Sequence, residues 1–177
     1  MNLSEQLQAI LAESGADAQA SPVAFVGDAK LARQVASAAR SALLISERFG
    51  RRRKQPPVFG RVAALAAALP LAPASLSALI SLRVACRAEQ PEALVGSWCR
   101  LLHVGARLIL VEPSAGGGVL AAMRRMGSEA MDREDVAALL LESGLAPVSQ
   151  CQVGSLSVTW GVVTEATAMR QGQSARG

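Results

Sequence analysis

Apolar positions recur along the chain with two different periods. In some segments they recur every three or four residues, which is typical of a helix with one face on a core. These segments predict helices over 2–14, 29–40, 91–104, 119–126 and 132–143, with a short helical turn within 64–73. Short uninterrupted apolar runs lie between them and predict buried strands over 23–26, 41–46, 58–63, 76–82 and 106–111. Strands that alternate with helices favour a mostly parallel sheet covered on both faces.

The C-terminal part of the chain departs from this alternation. Two apolar runs, 148–153 and 156–163, are separated only by Gly154 and Ser155. A hairpin of this kind adds an antiparallel edge strand to the sheet. The expected organisation is a main domain over 23–165, preceded by a helix and link over 1–22 and followed by a flexible polar tail over 166–177. Ligands of such sheets bind beyond the carboxyl ends of the strands.

The clearest single unit is the stretch 91–113. Leu94 and Trp98 fall on one face of its predicted helix. Gly105 is expected to end that helix, because glycine readily takes a left-handed conformation, and a buried strand follows it. His103, the chain's one histidine, is then expected near the helix C-terminus as a solvated cap rather than as a general base. The stretch therefore predicts a helix, a glycine turn and a strand.

Composition and charge narrow the function classes. The net charge of +4 is mild and allows an acidic partner without requiring one. The cysteines at positions 86, 99 and 151 match no zinc or disulfide spacing, which favours a cytoplasmic location. The single histidine is accompanied by no nucleophile signature, and Gly116–Gly118 lacks the lysine of a phosphate loop. No catalytic constellation follows from composition or motifs.

Two features bear on targeting. Glu5 and Glu13 interrupt the N-terminal apolar positions, which argues against a signal peptide. The stretch 62–82 carries no charge and is long enough to cross a bilayer. Pro70 and Pro73 lie in its middle and would break a membrane helix, so no membrane span is expected.

Three segments resemble the class I S-adenosylmethionine-dependent methyltransferase family. LPLAPASLSALISL (69–82) is similar to its loop and fourth strand, and RLLHVGARLILVEP (100–113) to its helix end, glycine turn and fifth strand. MDREDVAALLLESGLAPVSQCQV (131–153) is similar to its late helix and sixth strand. The resemblance implies an α/β, three-layer Rossmann-like fold with a mostly parallel sheet of about seven strands and an antiparallel edge strand.

The resemblance also implies where S-adenosylmethionine would bind. Gly27 and Asp28 would lie in the loop after the first strand, and Glu47 matches the acidic residue that holds the ribose hydroxyls. Ala29 and Leu31 replace glycines of that loop, and a side chain there is expected to fill the space of the methionine moiety.

Two more family positions have lost their acidic residue. Leu65 replaces the aspartate that contacts the adenine amino group, and Ser77 replaces the acid before the fourth strand. The expected function is therefore a methyltransferase-like protein with a degraded cofactor site, no bound cofactor, and a role as a binding, scaffolding or regulatory subunit with a protein partner or a second copy. The alternative is an active methyltransferase in which Gly27, Asp28 and Glu47 hold S-adenosylmethionine.

A basic segment is the other candidate for function. From 30 to 61 the chain has nine basic residues and one acid, and Arg51, Arg52, Arg53 and Lys54 are consecutive. Such a loop suits an acidic protein surface or nucleic acid, but a solvated run of charge is the favoured interpretation.

Overall fold

Seven strands form one sheet. The computed structural model describes residues 2–13, 22–35, 42–45, 59–62, 64–114 and 132–174. The strands are β1 (Val23–Gly27), β2 (Ala42–Ile45), β3 (Phe59–Val62), β4 (Leu76–Leu82), β5 (Leu102–Pro113), β6 (Leu145–Val153) and β7 (Leu156–Val163). Their spatial order is β3-β2-β1-β4-β5-β7-β6, and the first five are parallel. The predicted α/β fold class and the number of strands are confirmed.

The antiparallel strand lies one position in from the edge of the sheet. β7 pairs antiparallel with β5 on one side and with β6 on the other. The tight turn at Gly154, which has a φ of +60°, joins β6 to β7 and fixes this arrangement. β6, which runs in the same direction as β5, is therefore the edge strand on this side of the sheet, and β3 is the edge strand on the other.

Helices cover both faces of the sheet. They are α1 (Leu3–Ala12), α2 (Ala29–Val35), α3 (Pro91–Cys99), α4 (Arg133–Glu142) and α5 (Glu165–Ser174), with a short 3-10 helix over Ala85–Arg87. Leu79 of β4 packs in the core beneath α3 and α4, whereas its neighbour Ile80 packs in the core beneath α1 and α2. Successive side chains of a strand point to opposite faces, so an apolar run buried throughout builds a three-layer fold.

The boundary between α3 and β5 differs from the prediction. α3 ends at Cys99, and β5 begins at Leu102, before Gly105. The amide of Leu76 donates to the carbonyl of Leu101 (2.9 Å), so pairing with β4 takes over from the helix. Gly105, with a φ of +83°, lies in the irregular part of β5 where the register with β4 shifts. The prediction that His103 lies at a helix end is wrong, because it lies on β5.

The N-terminal helix belongs to the same core as the sheet. Asn2 caps α1: its Oδ1 accepts from the amide of Glu5 (2.9 Å), and Glu5 Oε2 accepts from the amide of Asn2 (2.7 Å). Leu7 and Ile10 are buried in the core that contains Phe25. The helix of the predicted N-terminal helix and link, 1–22, therefore packs on one face of the sheet.

The C-terminal segment is helical where a flexible tail was predicted. α5 covers Glu165–Ser174. Thr164 caps it, since its Oγ1 accepts from the amide of Thr167 (3.2 Å), and the buried Thr167 hydroxyl donates to the carbonyl of Gly144. A composition rich in polar residues concealed these two threonine contacts, which fix the start of the helix.

Arg107 holds α1 on the sheet. It lies on β5, only 8% exposed, and its guanidinium donates to the carbonyl of Ile10 and lies 3.3 Å from Glu13 Oε2. A cation at the end of a helix also interacts favourably with the helix dipole. The structure therefore assigns this buried charge a structural role.

Replacing Arg107 with alanine is expected to lower the free energy of unfolding by about 1–3 kcal/mol, because the Ile10 carbonyl loses its donor. Hydrogen exchange should become faster in α1. Glu13→Gln serves as the control, since that side chain is 66% exposed and its pair with Arg107 contributes about 0.5 kcal/mol or less. Unchanged exchange in α1 of Arg107→Ala would contradict the assignment.

Among the described residues, no helix is long and apolar enough to cross a membrane. The uncharged stretch considered above as a span instead contains the end of β3, an irregular segment and β4.

Candidate functional site

An open cleft lies at the carboxyl ends of β1, β2 and β4, where ligands of parallel sheets bind. Its volume is about 1150 Å³. One wall is the segment 64–67, and the other is the segment 82–90 together with one face of α3. The strand order reverses at β1 and β4, so the sheet itself opens this cleft.

Gly27 allows β1 to lie against the end of β4. Its φ is +112°, and a β-carbon there would lie 2.3 Å from Val84 Cγ2 and 2.4 Å from the carbonyl oxygen of Leu82. The next amide, that of Asp28, donates to the same carbonyl (3.2 Å). Only glycine fits this position, because it has no side chain to meet the backbone of β4.

Asp28 lies in the cleft, but its carboxylate is bound by the protein. Oδ1 accepts from the amides of Lys30 (2.8 Å) and Leu31 (3.0 Å) and so caps α2. Oδ2 lies 3.8 Å from Nη1 of Arg83, which follows β4. The amides at the start of α2, which suit an anionic group, already have an acceptor within the chain.

Leu31, Leu65 and Ser77 stand where the family has cofactor-binding residues, but they lie at different distances from the cleft. Leu31 is 8% exposed and packs in the core beneath α1 and α2, so it does not fill the cleft as predicted. Leu65 does line the cleft and is 63% exposed. Ser77 is buried near the start of β4, at the end opposite the cleft, and its hydroxyl lies 3.4 Å from the carbonyl of Pro22. Of the three, only Leu65 is placed to contact a ligand.

Other predicted positions lie outside the described residues. These are Glu47, Ala29 as far as its side chain is concerned, the basic segment Arg51–Lys54, and the glycine run Gly116–Gly118. Ile45, the last residue of β2, does line the cleft.

Sequence reasoning missed the arginines of the cleft. Arg83, Arg87 and Arg100 line it, and the acidic residues beside them are Asp28 and Glu89. The position of Arg83 directly after a buried strand was a usable signal, because strand ends meet at this edge. The other two come together only through the fold of the segment between β4 and β5. The described charges of the cleft therefore have a positive balance.

Arg83 combines backbone strain with unmet hydrogen-bonding capacity. Its φ is +59°, a left-handed conformation that costs a side-chain-bearing residue about 1–3 kcal/mol. Its amide donates to the carbonyl of Val111 (2.9 Å), which holds it in place. Among the groups that the structure describes, its buried Nε has no hydrogen-bond partner. Strained residues of this kind cluster at functional sites.

Glu112 is a buried carboxyl that binds the segment directly after β4. It is 1% exposed at the end of β5, and its Oε1 accepts from the amide of Ala85 (3.0 Å) at the start of the 3-10 helix. Burial raises the pKa of the Glu112 carboxyl, and hydrogen bonds from Cys86 and Ala85 together with the charge of Arg87 partly oppose that rise. The carboxyl thus orients the segment that carries Arg83 and Arg87.

Because its folded pKa is raised, Glu112 lowers stability as the pH rises from the ordinary carboxyl range through the folded pKa. We expect Glu112→Gln to match the wild type near pH 4 and to be more stable at pH 7, by about 1.4 kcal/mol for each pH unit between the folded and unfolded pKa. Urea unfolding at several pH values measures this. The exposed control Glu142→Gln should stay within about 0.5 kcal/mol of wild type. A Glu112→Gln protein that is less stable at pH 7 would contradict the raised pKa.

The described residues offer no cluster of His, Cys, Asp and Glu that could hold a metal ion. Cys86, Cys99 and Cys151 form no disulfide in the described part of the chain. Burial raises the pKa of Cys99 to about 12, so it is an inert core thiol.

No family model and no curated protein sequence matches the chain. Solved structures do match it. A chain of the complex between the Haloferax volcanii Trm112 methyltransferase activator and a methyltransferase has a TM-score of 0.66 and 11% identity, covering 92% of this chain and 94% of that one. A SAM-dependent methyltransferase from Aquifex aeolicus has a TM-score of 0.62 and 13% identity, covering 89% of each chain.

The CurJ carbon methyltransferase has a TM-score of 0.65 and 11% identity, covering 90% of this chain but 54% of that one. At such low identity these similarities establish the fold and leave activity open. The strand order, the cleft at the β1–β4 switch point and these matches agree. The chain has the fold of the class I S-adenosylmethionine-dependent methyltransferases.

Proposed function

We propose that this protein is a methyltransferase-fold protein whose S-adenosylmethionine site is degraded, and that it acts as a non-catalytic binding, scaffolding or regulatory subunit. The observation that carries the proposal is that groups of the chain itself already bind the Asp28 carboxylate. Its Oδ1 accepts hydrogen bonds from the amides of Lys30 and Leu31 at the start of α2. In the family this loop approaches the amino-acid moiety of the cofactor, so the cofactor carboxylate would meet another carboxylate there.

Binding of the cofactor carboxylate is unfavourable whether Asp28 stays in place or moves away. Two like charges 4 Å apart repel by about 4 kcal/mol at an effective dielectric constant of about 20. If Asp28 moves away instead, α2 loses a cap that contributes about 1 kcal/mol, and Arg83 loses its nearest carboxylate.

The balance of charge in the cleft also disfavours the cofactor. S-adenosylmethionine has a sulfonium and an ammonium group against one carboxylate, so its net charge is positive. The described cleft has three arginines and two acids. Exposed Leu65, where the family has an aspartate for the adenine amino group, removes a hydrogen bond of about 1.5–3 kcal/mol. Each 1.4 kcal/mol lost weakens binding about tenfold.

The second candidate is an active methyltransferase with a divergent loop. The open volume of the cleft, the presence of Gly27 at the end of β1 and the placement of Leu31 away from the cleft favour it. In this case Gly27, Asp28 and Glu47 would hold S-adenosylmethionine, with Asp28 facing its ammonium group. Positioning of the methyl group against the acceptor would then supply most of the catalysis.

A subunit role requires a partner. One matched structure is a complex with the Trm112 activator, which shows that a protein of this fold can bind a protein partner. We infer a protein partner or a second copy for this chain as well, and a cytoplasmic location from its three cysteines, which form no disulfide in the described structure. Binding of nucleic acid through Arg51–Lys54 remains a separate proposal, and it predicts affinity that falls steeply with salt.

Thermal unfolding with and without ligand tests the proposal. A ligand at 100 times its dissociation constant adds about 2.7 kcal/mol of stability. For a chain of this size that raises Tm by roughly 5–10 °C. We expect no such shift with S-adenosylmethionine or S-adenosylhomocysteine. A shift of that size that Glu47→Ala abolishes would favour the active enzyme.

A further inference from the structure

We propose that the cleft binds an organic anion, with an apolar body and a carboxylate, phosphate or sulfonate group that Arg83, Arg87 and Arg100 contact. This inference rests on the proposed function, since it takes the cleft as no longer used by S-adenosylmethionine. It assigns the cleft a ligand of opposite charge to that cofactor.

Arg83 provides the first support. Its side chain is 38% exposed, and its ion pair with Asp28 is long, at 3.8 Å. Among the described groups, its buried Nε has no hydrogen-bond partner. A guanidinium forms strong paired hydrogen bonds with planar or tetrahedral anions, and Asp28 does not satisfy that geometry here. An anion at the exposed Nη atoms of this guanidinium would supply the paired acceptors that Asp28 does not.

Arg87 and Arg100 provide the second support. Arg87 ends the 3-10 helix, Arg100 directly follows α3, and both side chains are exposed. Within the described part of the chain, neither takes part in a salt bridge. Among the described residues, the acids that line the cleft are Asp28, already bound at α2, and Glu89. The arginines therefore retain capacity for an anion from solution.

The rest of the cleft suits an apolar body. Ile45, Leu65, Val84 and Leu94 line it, and Leu65 is 63% exposed. The cleft volume of about 1150 Å³ exceeds the range typical of small-ligand sites, about 300–1000 Å³. An apolar group covering Leu65 would remove exposed apolar surface from water.

A pair of probes with one body separates charge from apolar contact. 8-Anilinonaphthalene-1-sulfonate carries the sulfonate, and N-phenyl-1-naphthylamine is the same ring system without it. In fluorescence titrations of the full chain we expect the sulfonate to bind at least about tenfold more tightly, with affinity that falls as salt is raised. Equal affinity of the two probes, or no binding of the sulfonate, would overturn the inference.

Variants locate the bound anion. Arg83→Gln and Arg100→Gln are each expected to weaken sulfonate binding about tenfold, because each removes a charge-assisted hydrogen bond. Arg133→Gln, at an exposed arginine at the start of α4 and outside the cleft, is the matched control and should bind as wild type. Arg100→Gln keeps the test decisive if the strained Arg83 position fails to fold. Unchanged binding in both cleft variants would place the anion elsewhere and overturn the inference.

Displacement of the probe identifies the anionic group. Octyl phosphate and octanoate are each compared with octanol. The anion that displaces the probe at the lower concentration carries the anionic group that the cleft prefers. Displacement by octanol at the same concentration as both anions would overturn the inference. Displacement by micromolar S-adenosylmethionine would refute the proposed function alone, because the affinity ratio of the charged and uncharged probes decides the anion inference separately.

Discussion

Gly27→Ala is expected to lower the free energy of unfolding by about 2–5 kcal/mol, adding backbone strain to overpacking. The residue has a φ of +112°, and its new methyl group would lie 2.4 Å from the Leu82 carbonyl oxygen and 2.3 Å from Val84 Cγ2. The carbonyl is part of β4 and cannot move without disturbing its pairing with β1. Urea unfolding measures the loss.

Gly96→Ala is the matched control for this variant. Gly96 lies within α3, and a β-carbon there meets nothing within 4 Å. Alanine should stabilise that helix by about 0.5–1 kcal/mol. If the two variants had equal stability, the close approach of β1 to β4 at the base of the cleft would be wrong.

Trp98→Ala is expected to cost about 3–5 kcal/mol, as for other large buried aromatic residues. Trp98 is fully buried in the core beneath α3 and α4. Its indole Nε1 also donates to the carbonyl of Ala66 (2.8 Å), which joins α3 to the opposite wall of the cleft. Loss of the indole should therefore lower the free energy of unfolding and also increase the rate of hydrogen exchange in the segment 64–67.

Two controls separate these effects. Trp98→Phe retains most of the apolar contact but lacks the donor, so it should cost less and still loosen the segment 64–67. Trp160→Ala removes the chain's other tryptophan, which is only half-buried on β7, and should leave exchange in 64–67 unchanged. Normal exchange there in Trp98→Phe would contradict a role for the hydrogen bond.

Much of the sheet could be predicted because its strands are short apolar runs with clear ends. β4 and β7 have the predicted bounds, 76–82 and 156–163. The start of β5 could not, because residues 101 and 102 continue a helical pattern and become extended only by pairing with Leu76. α5 was missed for a related reason, since its start depends on the contact of Thr167 with Gly144 across the fold.

The site was predicted less completely than the fold. Gly27 and Asp28 were expected at the end of β1 and lie there, in the cleft. The prediction that Leu31 fills the cleft was wrong because helix periodicity turns it into the core beneath α1 and α2. The hydrogen bonds of Asp28 to the start of α2 depend on side-chain geometry. The proximity of Arg87 and Arg100 depends on the path of the chain over 82–100. No local sequence pattern contains either.

A calorimetric titration of the full chain with S-adenosylmethionine tests the central claim most directly. The degraded site predicts no saturable heat up to about 1 mM ligand, since repulsion from the Asp28 carboxylate and the hydrogen bond lost at Leu65 together weaken a micromolar site by several decades. A one-site isotherm with a low-micromolar Kd, abolished by Glu47→Ala, would contradict the claim and identify an intact cofactor-binding site.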